Sequence, residues 1–196
     1  MPEPRDDDAQ RALRTAAERG DDRAALALAH ELRDSGLLLE AWHWAQVAAD
    51  AGNRAAAGTL AGWRWQQTRD VTLEPQLRTT AAHSAHARAA LAALLRSTGR
   101  VEEARSVLEE GALRGELACW LPLGNLYREV LGDDVAAAAA YRAGIEGGDL
   151  HAHHDLGVLL LESGDVEGAI EHFSIAAAGG DEPAARVLRE VLAEDD

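Results

Sequence analysis

Three histidines and an aspartate crowd into His151-Ala152-His153-His154-Asp155, the run of this 196-residue chain whose residue types and spacing best suit metal ligation. On a helix His151 meets His154 three positions on and Asp155 four positions on, so these three side chains share a face, as ligands must. No partner histidine follows from the sequence alone, so no metal site is assigned. The run reads as a polar helix start or as peptide contact. The motifs of enzymes are missing: there is no G-x-x-x-x-G-K-[ST], H-E-x-x-H, C-x-x-C or G-x-S-x-G. The chain is therefore expected to be noncatalytic, with no catalytic residue and no cofactor.

The charge is equally selective. Acids outnumber bases 34 to 19, for a formal net charge of −15, and every base is arginine. That balance opposes nonspecific binding to nucleic acid or to an anionic membrane, because phosphate contacts need a positive stripe. No signal-like segment and no apolar run long enough to span a bilayer is present, which points to the cytoplasm. The lone Cys119 excludes an internal disulfide and reads as a small packing residue.

The elements that position these groups come from a repeat. AAERGD (16–21), AADAGN (48–53) and AAAGGD (176–181) recur with degenerate copies between them, and Gly20, Gly52, Ser84, Gly115, Gly147 and Gly180 set a period of about 32 residues. A unit this short cannot bury its own apolar face, so copies must stack. Each period holds two stripes of helical spacing joined by a glycine turn: Ser35-Gly36, Thr98-Gly99, Leu131-Gly132 and Ser163-Gly164. First helices carry Leu28-Ala29-Leu32, Leu91-Ala92-Leu95, Leu123-Gly124-Tyr127 and Leu156-Gly157-Leu160. Second helices carry Ala41/Ala45/Ala48, Ala104/Leu108/Gly111, Ala136/Ala140/Ala143 and Ala169/Phe173/Ala176. Small residues at these offsets let helices approach closely.

This pattern resembles the tetratricopeptide repeat family, and the AA-x-x-G endings with Trp44 before Ala48-Ala49 resemble the related Sel1 repeats. The resemblance implies an all-α fold: a right-handed superhelical solenoid of about five antiparallel hairpins with a single helix at each end. The hairpins fall near 22–52, 54–84, 86–115, 117–147 and 150–180, with a closing helix at 182–193. They form one repeat domain over 9–193, between acidic tails at 1–8 and 194–196. The second hairpin departs from the pattern, with Arg64 and Leu73 at the tyrosine and alanine positions. Pro75 there delays the second helix to near 72–75.

In that family the first helices line a concave groove that receives a peptide or a partner's helix. Carried over unit by unit, the resemblance implies a peptide-binding set of Arg23, His30 and Arg33, then Trp65, His86 and Arg96, then Asn125 and Arg128, and finally His151 and His154. Four arginines, four histidines and no carboxylate among them suit an acidic segment or a C-terminal carboxylate. Residues two apart on a helix point about 200° from each other, so one tryptophan of each pair is expected to pack and the other to show. Trp44 is the packed member of Trp42/Trp44 and Trp65 the exposed anchor of Trp63/Trp65. The chain is thus expected to be a protein- or peptide-binding adaptor or scaffold. The alternatives are a self-assembling module, pairing copies into a homo-oligomer, and a small-molecule or metal sequestration protein.

Overall fold

The computed structural model describes residues 4–194, with side chains from 8 to 193, and among these every regular element is helical. The chain divides into two compact units that meet between Arg100 and Val101. In the first, α1 (Pro4–Glu18) packs on α2 (Asp22–Asp34), α2 on α3 (Leu38–Asp50), and α3 on α4 (Arg54–Thr68). α4 then packs on both α5 (Glu74–Thr80) and α6 (Ala85–Ser97). The second repeats the scheme: α7 (Val101–Leu113) on α8 (Trp120–Leu126), then α9 (Asp134–Glu146), α10 (His151–Glu162), α11 (Val166–Ala178) and α12 (Glu182–Glu194), each on its predecessor. The fold is the all-α stack of antiparallel hairpins that the repeat predicts. α1 starts at Pro4, ahead of the expected Ala9, so part of the segment 1–8 is helical rather than a tail. The acids at 195 and 196 lie outside the described residues.

Four helix starts are set by a capping side chain at the same position of the repeat. Asp21 accepts from the Arg23 and Ala24 amides, Asn53 from Ala56, Ser84 from Ala87 and Asp181 from Ala184. Each satisfies donors that the first turn leaves unpaired. The residue three beyond each cap, Ala24, Ala56, Ala87 or Ala184, is buried, so the cap also fixes which face turns inward. Ser84 is a cap, equivalent to Asn53 and not to Gly52, which moves the second repeat's register by one.

A second shift has a visible cause. Tyr127–Leu131 forms a π-helical turn, which accommodates one residue more than an α turn. Thirteen positions therefore separate Gly124 from its buried partner Ala137, where twelve separate Gly157 from Ala169. The inward face of α9 is Ala137, Tyr141 and Gly144, and the expected set Ala136, Ala140 and Ala143 is one residue out of phase, although Ala140 is also buried. The left-handed turn residue is accordingly Gly148 (φ 92°), not Gly147.

Close approach does the rest. A Cβ on Gly157 would lie 2.9–3.2 Å from the Phe173 ring, and one on Gly124 would overlap Tyr141. Each large ring of a second helix thus seats on a glycine of the first. Leu91, Leu123 and Leu156 are buried in these layers. Alanine at any of them is expected to cost about 2–5 kcal/mol in urea denaturation of the full chain.

The second hairpin follows the proline. α4 ends on Arg69 in the left-handed conformation (φ 53°), a single 3₁₀ turn spans Val71–Leu73, and α5 starts at Glu74 with Pro75 in its first turn. Glu74 then accepts from Arg78 at 2.8 Å and from both terminal nitrogens of Arg100 at 2.9 and 2.6 Å. These bonds hold its carboxyl at about 2.

Candidate functional site

In the first unit, residues from three first helices converge. His30 and Arg33 come from α2, Trp63 and Gln66 from α4, and His86 from α6. Gly62 makes this possible: a Cβ there would lie 2.9 Å from the His86 carbonyl oxygen, so α4 and α6 touch backbone to backbone. His86 is thereby brought onto His30, the two rings stacking at 4.7 Å between centroids and 25° between planes. Trp63 presents its edge to His30 at 5.9 Å and to Trp42 at 5.8 Å. The Arg33 guanidinium lies 4.6 Å over the Trp63 ring and donates to Gln66 Oε1 at 2.6 Å. Cation–π contact and hydrogen bond together fix the orientation of its fork.

The electrostatics of this patch are set by burial. Desolvation lowers the His30 pKa, with Asp34 opposing and Arg33 assisting. His86 is lowered to about 4, first by burial and then by the charges of His30 and Arg33. Both imidazoles are uncharged at neutral pH, which leaves Arg33 as the cation of the cluster. Because folding favours neutral His86, its contribution to stability is present above the ordinary imidazole value near 6.5 and is lost as pH falls toward about 4. Urea denaturation at neutral pH and near pH 4 should show this loss, and His86→Gln should reduce it.

Trp65 is not the exposed anchor that helix geometry suggested. It is 2 % exposed, and Trp63 is wholly buried, so both members of the pair pack. α4 is covered on opposite sides, by α3 and by α5 and α6, so residues pointing 200° apart both find protein. Arg69 lies 5.6 Å over the Trp65 ring, and neither indole Nε1 has an acceptor among the described residues. Trp44 packs against the first unit's core, and Trp42 does so too. Arg23 stands apart from the cluster, lining an apolar groove of about 680 Å³ with Ala9, Ala12, Leu13 and Ala16 of α1 and Ala24 and Ala27 of α2. Arg96 is exposed in the last turn of α6, far along that helix from His86.

The second unit's candidates are arranged differently. Asn125 Oδ1 accepts from the Tyr141 hydroxyl at 2.7 Å, and Arg128 is paired with Glu162 at 2.8 Å. The Tyr141 phenol is pushed up to about 12 by burial and by the Asp155 charge, while burial raises the Asp155 carboxyl. The arginine of this face is thus already paired with a carboxylate within the unit, whereas Arg33 has Asp34 in its vicinity but no ion pair with it. His151 is exposed, its amide donating to Asp149 at 3.0 Å, and His154 Nδ1 lies 3.5 Å from Asp181. His151, His154 and Asp155 do not assemble as ligands, and no group of three potential ligands occurs among the described residues. The histidine that finds a partner is His153, whose Nδ1 lies 2.8 Å from Nδ1 of His172 on α11. Sequence reading missed His172, Trp63 and Gln66 as site residues. The one advance signal was the 33-residue step from Arg33 to Gln66, close to the repeat length.

No protein-family model and no curated protein matches the chain. Solved structures do. A sel1 repeat protein from Klebsiella pneumoniae subsp. pneumoniae aligns over 93% of this chain and 98% of its own, at 23% identity and a TM-score of 0.64. In the APC/C hetero-tetramer Cut9-Hcn1 the match covers 95% of this chain at 19% identity and a TM-score of 0.68, but only 39% of that longer chain. YrrB, described as a TPR protein with an unusual peptide-binding site, aligns over 91% of this chain and 98% of its own, at 17% identity and a TM-score of 0.51. No helix among the described residues is long and apolar enough to cross a membrane.

Proposed function

We propose that this chain, which has the fold of tetratricopeptide and Sel1-like repeat proteins, is a noncatalytic adaptor or scaffold. The face built by His30, Arg33, Trp63 and His86 receives an acidic segment or a C-terminal carboxylate of another protein. The observation that carries this reading is the state of Arg33. In a chain with 34 acids against 19 bases, no carboxylate among the described residues lies within ion-pair distance of it. An arginine stacked on tryptophan and tethered to a glutamine keeps most of its five donors for a ligand. Its rigidity reduces the entropy lost when that ligand binds. The neutral imidazoles beside it add hydrogen-bonding edges without a second charge. The peptide-binding site named for YrrB belongs to that protein, and its fold likeness to this chain is consistent with the reading.

The test uses fluorescence anisotropy with three labelled peptides: a Glu/Asp-rich peptide with a free C-terminus, its C-terminal amide, and a lysine-rich peptide of equal length. Saturable binding of the acidic peptides that weakens with salt supports the reading, and the amide separates side-chain from terminal carboxylates. Absence of binding by the acidic peptides, or equal binding of the lysine-rich one, overturns it.

A further inference from the structure

The pair on α10 and α11 lies outside that face and has a chemistry of its own. We propose that His153 and His172 form a two-imidazole site for a borderline divalent transition-metal ion, zinc, nickel or copper, held between the two helices of one hairpin. The two Nδ1 atoms face each other at 2.8 Å, with ring centroids 5.0 Å apart and planes at 44°. Without a metal, one nitrogen carries a proton and the other accepts it. An ion about 2.0–2.1 Å from each nitrogen in tetrahedral geometry needs them roughly 3.3 Å apart, so the gap must widen by only about half an ångström. His153 is buried at 8 % exposure, while His172 is half-buried, so the adjustment falls to His172.

Burial and the neighbouring His153 lower the proton affinity of His172. The charged groups that act on it are Glu171 and Asp165, both acidic and both on or beside α11, and Arg142 from α9, which opposes them. Neutral imidazole is the form that binds these ions. With two protein ligands, the remaining positions fall to water, which makes the site exchangeable rather than a closed structural one.

The test is calorimetric titration of zinc chloride into the chelator-treated full chain at neutral pH, repeated with His172→Ala, His172→Gln and His151→Ala. One saturable equivalent is expected in the native chain and in His151→Ala, with affinity lower by about tenfold or more in both His172 variants and falling in acid. Histidine ring ¹⁵N shifts should move at His153 and His172 upon zinc addition. Absence of saturable binding, an isotherm unchanged by both His172 variants, or loss of binding in His151→Ala overturns the proposal. A His172→Ala chain that fails to fold leaves His172→Gln, which removes the ring and keeps a polar side chain, to decide. The peptide-binding face plays no part in this titration.

Discussion

Trp63→Ala is expected to destabilise the first unit by about 3–5 kcal/mol, the largest stability effect of any single substitution considered for the chain. The indole is wholly buried and touches groups from two other helices: Trp42 on α3, and His30 and Arg33 on α2. Truncation opens a cavity in the core shared by α2, α3 and α4, and α4 cannot collapse into it because its other side is already seated on α5 and α6. The same change removes the plate on which Arg33 rests. Denaturation followed by far-ultraviolet circular dichroism, which does not depend on the lost fluorophore, should report the cost. A loss under about 1 kcal/mol would mean that the indole is not a keystone of this layer.

Arg33→Glu is expected to leave stability nearly unchanged and to weaken binding of an acidic peptide by about thirtyfold, roughly 2 kcal/mol. The half-exposed guanidinium makes one hydrogen bond to an exposed glutamine, so little of the fold depends on it. Its replacement puts a carboxylate where the partner's must go, and like charges repel. Arg128→Glu should have a smaller effect on the same peptide, because native Arg128 is already paired with Glu162. Equal losses in both variants would mean that the charge of the whole chain, rather than the pinned fork, governs binding.

The period and its glycine turns made the hairpins legible, because a left-handed residue after a helix favours glycine and leaves a visible mark every 32 or so positions. The late start of α5 was legible for a similar reason, since Pro75 allows a helix only in its first turn. The π turn at Tyr127–Leu131 was not. It adds one residue without any special composition, and alanines at 136–140 fit either phase. Only the seating of Tyr141 on Gly124 separates the two.

The candidate site was legible as far as single helices reach. His30, Arg33 and His86 follow from their positions on first helices, and the structure brings these three together. Trp65 was misread because a helical wheel gives the direction of a side chain and not what lies there. α4 is flanked by α3, α5 and α6, and Trp65 points into a covered side. The His153–His172 contact depends on how α11 is rotated against α10, which the spacing along either helix leaves open.

The most direct test of the account is nuclear magnetic resonance of the ¹⁵N-labelled chain during titration with the acidic peptide, following indole, imidazole and arginine side-chain signals. Saturable shifts are expected at Arg33 Nε, at the Trp63 indole and at the rings of His30 and His86, with the His153 and His172 rings unmoved. Shifts confined to other residues, or none at peptide concentrations that saturate binding, would contradict it.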